Sequence, residues 1–146
     1  MSGSEGGRSN ESPMIHIMGL AGSLRAGSAT RMAVGCALHG AEQEGAIAQL
    51  LDLAAYDLPF LGQEQGRGGP KAVERFLADL RAADGIVLGS PEIHGSLSGA
   101  LKNALDLTDR ELLEGKMVGL IGVAGGRMGA TETLSHLRAI GRSLHA

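Results

Sequence analysis

The sequence predicts an α/β protein built on one parallel sheet with helices on both faces. Short apolar runs alternate with amphipathic stretches along most of the chain, the pattern of strands buried on two sides. Runs near residues 14, 86 and 117 each pass into a turn rich in Gly and Ser and then into a helix-forming stretch. The chain has 146 residues, enough for one domain with a real core and too few for two.

Taken in order, residues 1–13 read as a disordered leader. They are polar and Gly/Ser-rich and lack the apolar centre of a signal peptide. Residues 14–20 read as a buried strand, and 29–44 as a helix with Met32, Cys36 and the alanines inward and Gly45 as its stop. Cys36 reads as small core packing, since nothing cationic surrounds it. AIAQLLDL, 46–53, makes a second strand. Tyr56 to Gly69 is a long, turn-rich connection of the functional or mobile kind. Pro70 opens a helix, with Val73, Phe76, Leu77 and Leu80 at half-buried spacing, and Asp84-Gly85 ends it. Ile86-Val87-Leu88 is a short buried strand running into Ser90–Ser96. Ser98 caps a helix that carries Leu101, Ala104 and Leu105 inward. Met117 to Val123 is a fourth strand, and a last helix runs from about 130 with Leu134, Leu137, Ile140 and Leu144 inward.

Right-handed crossovers place the C-terminal ends of all four strands on one edge. Loops 19–28, 54–69, 90–98 and 124–129 therefore share that edge, where open α/β sheets bind ligands. The first loop lies within Gly19–Arg31, GLAGSLRAGSATR. It delivers a strand into a helix N-terminus, where unpaired amides and the helix dipole favour an anion. Ser23, Ser28 and Thr30 add hydroxyls and Arg25 a charged fork, together a receptor for a phosphate-sized group. The same residues also fit an ordinary βα turn with Ser28 as N-cap and Arg25 in solvent.

Several functions are disfavoured. Net charge is -3, without a basic run, and aromatics are 2% of the chain. Nucleic acid as main partner thus lacks both a cationic footprint and stacking platforms. No apolar run approaches the ~20 residues of a membrane span. The single cysteine excludes an internal disulfide and fits a reducing cytoplasm. GxGxxG after the first strand, GxxxxGK[ST], GxSxG, CxxC and paired histidines at i, i+4 are all missing.

Three motifs in order, GSLRAGSATR, SPEIHGSLSGALKNALD and GKMVGLIGVAGGRMG, resemble the NADPH-dependent FMN reductase family over residues 14–144. The resemblance implies a flavodoxin-like doubly wound parallel sheet of order 2-1-3-4 over residues 14–146, with the family's usual fifth strand absent from this chain. It implies that Ser23, Arg25, Ser28, Ala29 and Thr30 hold the phosphate of FMN. Pro91, Glu92, Ile93, His94, Gly95 and Ser96 lie against its isoalloxazine ring, and Gly125, Gly126 and Arg127 border the flavin. The physical reading agrees: a dianion needs Arg25 plus a fan of donors, and a flat ring needs close backbone approach. The implied activity passes hydride from NADPH or NADH through FMN to a quinone, free flavin or similar acceptor by a ping-pong route. The flavin carries the bond chemistry, so no catalytic side chain is assigned. Ile93 stands where the family usually has Tyr, which removes an aromatic contact worth ~0.5–1.5 kcal/mol beyond its area. The missing fifth strand makes 117–123 an exposed edge, covered by a continuing tail or another subunit. A homodimer or homotetramer is implied.

Individual residues are read conservatively. His94 reads as a pocket-lining or solvated loop histidine, not a catalytic one. Glu92 reads as structural, binding backbone N–H groups. Arg127 is given a pocket role. Lys102 and Asn103 read as surface or capping contacts, with packing beneath the loop as the alternative, and Asp106 and Asp109 as solvated helix-end charges. His16, His39, His136 and His145 carry no functional claim. Two other functions fit the same residues: an FMN-binding electron carrier or redox sensor, which the modest net charge supports little, and a phosphate-ligand binder without flavin.

Overall fold

A computed structural model of the chain describes residues 13–63 and 68–146. The leader, apart from Pro13, and the centre of the connection 54–69 lie outside the described residues. Four strands form one parallel sheet: β1 (His16–Ala21), β2 (Ile47–Asp52), β3 (Gly85–Pro91) and β4 (Met117–Val123), in the order β2-β1-β3-β4. The helices are α1 (Ala29–Gln43), α2 (Gly69–Arg81), α3 (Gly99–Asp106), α4 (Arg110–Leu113) and α5 (Thr131–Ser143). The doubly wound sheet and strand order match the sequence expectation. β3 is longer than expected, because Ser90 and Pro91 continue its ladder opposite Gly122 and Val123.

Side chains alternate across the sheet, so one set of strand residues points to each face. Met18, Leu20, Leu51, Ile86 and Leu88 meet Phe76 and Leu80 of α2, Leu101, Ala104 and Leu105 of α3, Leu112 and Leu113 of α4, and Leu137 of α5. On the other face Ala21 packs with Val34 and Leu38 of α1.

That second face corrects the sequence reading. α1 buries Thr30, Val34 and Leu38, whereas Met32 is 61% exposed and Cys36 is exposed. The cause lies in the sheet. A methyl added at Gly89 would sit 2.3 Å from a Val34 methyl, and one at Gly19 2.6 Å from the other. The two glycines open a slot that only the Val34 side of the helix fills.

α4 was not expected. Its N-cap is Asp109, whose carboxylate accepts from the Leu112 amide at 2.8 Å; Asp109 is a cap, not a merely solvated charge. Asp106 is paired with Lys102 one turn back, on the exposed side of α3.

The described part of the connection after β2 is anchored. It begins with the 3-10 turn Leu53–Ala55. Tyr56 packs edge-on to Phe76 at 5.4 Å between ring centroids and donates to Asp79 at 2.6 Å. Arg75 stacks over the Tyr56 ring. Burial, then the Asp79 bond, pushes the phenol above the usual tyrosine range. The Asn103 amide donates to the carbonyls of Leu58 and Pro59. β4 forms a sheet edge as expected, with Met117 81% exposed. Among the described residues no helix is long and apolar enough to cross a membrane.

Candidate functional site

The C-terminal ends of β1, β3 and β4 are joined by short polar contacts. The Gly22 amide donates to the Gly89 carbonyl at 2.7 Å. The Ser98 hydroxyl donates to the Gly22 carbonyl and accepts from Leu101, so one oxygen caps α3 and holds the end of β1. Ser90, fully buried, accepts from the Ser98 amide at 2.9 Å and donates to the Pro91 carbonyl. The Glu92 amide donates to the Val123 carbonyl at 2.8 Å, which draws the turn after β3 against the end of β4. A methyl at Gly22 would lie 2.8 Å from Leu101 Cβ and 3.1 Å from the Gly89 carbonyl oxygen. Such a join tolerates only glycine there.

The turn after β1 has the form of the ordinary βα turn, with Ser28 as N-cap and Arg25 exposed. Ser28 is the N-cap of α1, accepting from the Arg31 amide at 3.3 Å. Gly27 has φ +70 and turns the chain into the helix. The amides of Gly27, Ser28, Ala29 and Thr30 bond to nothing among the described residues. They stand at the positive end of a 15-residue helix. Thr30 is buried, with its methyl directed at Gly89. Ser23 accepts from the Arg25 amide at 3.4 Å. Two arginines flank these amides, and the structure separates them. Arg31 is held by Asp52 at 2.6 Å, whose second oxygen accepts from Ala54. Arg25 is exposed and has no ion-pair partner among the described residues. Asp52 was missed by sequence reasoning; only its position at the end of β2 signalled it.

After β3, the Ile93 and Ser96 backbones pair in both directions at 2.8 and 3.1 Å. The two residues between them, His94 and Gly95, have φ +50 and +72, the left-handed pair of a tight two-residue turn. Their amides bond to nothing among the described residues, so two donors stand at the tip. Ile93 is 48% exposed, and His94 is exposed with no partner side chain among the described residues. Glu92 accepts from the Thr133 amide at 3.2 Å, the backbone-binding role expected of it. α5 has no cap of its own at Ala130, and Glu92 takes that place.

After β4, Gly125, Gly126 and Arg127 are exposed, and the Gly129 amide closes the turn on the Gly126 carbonyl. Methyls built at Gly27, Gly95, Gly125 and Gly126 would meet nothing within 4 Å. The three turns thus form an open, donor-rich shelf. Sequence reasoning missed Thr133 and gave His136 no role, yet both bond to the turn after β3. Among the described residues no group of three or more His, Cys, Asp or Glu is placed to hold a metal ion.

The family model for NADPH-dependent FMN reductase matches residues 15–146. An NAD(P)H-dependent FMN reductase of Pseudomonas aeruginosa is 35% identical over 128 residues, covering 85% of this chain and 68% of that protein. An FMN-dependent NADPH-azoreductase of Staphylococcus aureus is 43% identical over 101 residues, 66% of this chain and 53% of its own length. The chain spans about half the length of that relative and of an NADPH azoreductase from a Bacillus species. Among solved structures, an oxidoreductase from Corynebacterium diphtheriae superposes with TM-score 0.75 at 22% identity, covering 92% of this chain and 78% of that one. The NAD(P)H:(acceptor) oxidoreductase FerB from Paracoccus denitrificans gives 0.74 at 24% identity, covering 90% and 72%. These two likenesses establish the shared fold.

Proposed function

The chain belongs to the NADPH-dependent FMN reductase family, and from that membership we propose that it is an FMN-dependent NAD(P)H oxidoreductase acting on a quinone, a free flavin or a similar small acceptor. The observation that carries this is the row of amides from Gly27 to Thr30 beside Arg25, none of them paired among the described residues. A phosphate dianion fits that donor set: amides and hydroxyls on one side, one guanidinium on the other.

Ser23, Arg25, Ser28, Ala29 and Thr30 would hold the FMN phosphate. Pro91 to Ser96 would lie along the ring, with the His94 and Gly95 amides as donors to its polar edge. Gly125, Gly126 and Arg127 would border it, and the bare glycines would allow backbone to approach a flat surface. Bound FMN supplies the redox chemistry between NAD(P)H and acceptor, so this chain needs no nucleophile or general base. Its residues orient the group and line one open face, which both substrates would use in turn. Ping-pong kinetics follows from that sharing. The β4 edge would be covered by a continuation of the chain or by a second copy, in a homodimer or homotetramer, and the lone free cysteine fits a reducing cytoplasm.

The test is spectroscopic. Protein incubated with FMN and desalted should keep flavin absorbance between 350 and 500 nm, and anaerobic NADPH should bleach it. Retained flavin that NADPH leaves yellow would instead mark an electron carrier, and protein that retains none would mark a phosphate-ligand binder. Initial velocities that intersect, instead of running parallel, would remove the ping-pong route.

A further inference from the structure

We propose that Thr133 and His136, on α5, are positioning residues that hold the Ile93–Ser96 turn in the shape that presents its two free amides. The inference rests on the FMN reading above. It concerns residues that lie about 40 positions from the turn in sequence and outside every loop that borders the site.

Thr133 is buried completely, an unusual place for a hydroxyl unless both its polar groups are used. Both are. Its hydroxyl donates to the Ser96 carbonyl at 3.0 Å, and its amide donates to Glu92 at 3.2 Å. One residue therefore grips the turn on both flanks, Glu92 before it and Ser96 after it. His136 lies one helical step further on, where Nδ1 sits 2.9 Å from the Ser96 hydroxyl. Within the turn, His94 carries a side chain at φ +50, a conformation that costs a non-glycine residue roughly 1 kcal/mol or more. Such a turn keeps its form only where its surroundings over-determine it. The pairing of Ile93 with Ser96 fixes the turn from within; Thr133 and His136 fix where it stands on the sheet edge.

Valine matches threonine in shape, so Thr133→Val deletes the hydroxyl and little else, and Thr133→Ser keeps it. FMN titration by fluorescence, with visible circular dichroism of the bound flavin, reads the seat. Thr133→Val should weaken FMN roughly tenfold and alter the visible dichroism, and Thr133→Ser should restore both. Exposed His136→Ala, which leaves the core intact, should move both readouts the same way by about threefold. Leu144→Ala trims a half-buried side chain packed against the core at the C-cap of α5, about 16 Å from Thr133; it should lower the melting temperature without touching the flavin spectrum. The clamp is overturned if Thr133→Val, or His136→Ala should the valine variant not fold, matches wild type in both readouts. It is equally overturned if Leu144→Ala reproduces the spectral change. Wild-type protein that binds no FMN overturns the FMN reading and the seat together, whereas flavin-binding wild type matched by its variants overturns the clamp alone.

Discussion

Arg25→Ala isolates the charged half of the proposed phosphate receptor from the amide half. Arg25 is exposed and makes no ion pair among the described residues, so its loss should leave folding within about 0.5 kcal/mol of wild type. Its guanidinium would instead face a group carrying nearly two negative charges. Hydrogen bonds to charged groups contribute about 1.5–3 kcal/mol each. Exposure to salt and water puts a single fork at the lower end of that range. The dissociation constant for FMN should then rise roughly 10- to 30-fold, while the amides of Gly27 to Thr30 keep residual affinity. Riboflavin supplies the control because it has the same ring and no phosphate; its affinity should not change. The assay is quenching of flavin fluorescence at fixed salt, alongside thermal melts. Unchanged FMN affinity would refute the phosphate assignment. Equal losses for FMN and riboflavin would move Arg25 from the phosphate to the ring.

Three further perturbations test the frame around the site. Gly89→Ala forces a methyl to within 2.3 Å of Val34; overpacking of this kind costs about 1–3 kcal/mol, visible as a lower urea midpoint, and adding Val34→Ala should recover part of it. Ser98→Ala removes a buried cap and leaves the Gly22 carbonyl without its donor, which should cost about 1–3 kcal/mol in the same assay. Tyr56 has a folded-state pKa above its unfolded value of about 10. Below pH 10 the phenol is neutral in both states and contributes no slope. Above it the unfolded chain ionises first, so stability falls as pH rises, and Tyr56→Phe should flatten that alkaline decline.

The order of the strands and the edge where their turns gather were legible because apolar runs buried on both faces announce parallel strands, and each ran into a turn of small residues. The site positions came largely from three motifs. The inward face of α1 was not legible. That helix carries alanine or glycine at 29, 33, 35, 37, 40 and 41, so its apolar pattern is nearly flat around the axis, and the choice of Val34 over Cys36 belongs to Gly19 and Gly89 on two other strands. Thr133 was hidden for the opposite reason. A threonine in an amphipathic helix reads as outward-facing, and only Glu92 and Ser96, folded back from a distant segment, make its burial affordable. α4 is four residues long, too short for a period to show, although Asp109 before Leu112 and Leu113 was a usable cap signal.

Ion pairs do little to hold the shelf together. Lys102–Asp106 and Arg110–Glu114 are half-exposed pairs one turn apart on single helices, each worth about 0.3–0.5 kcal/mol. Arg31–Asp52 ties α1 to β2 on the side away from β3 and β4. The joins between the turns are made mostly by hydroxyls: Ser90 and Ser98 between β3, β1 and α3, and Thr133 between α5 and the turn after β3, where its amide also meets the Glu92 carboxylate. The Ser90 and Ser98 hydroxyls, each satisfied in both directions, are buried where salt does not reach them, so they fix position without adding charge. That division leaves Arg25 and Arg127 as cations on the shelf free of ion pairs among the described residues. The proposed binding of an anionic group and a flat ring would use that separation: joins made largely by buried hydroxyls, and cations left unpaired for the ligand.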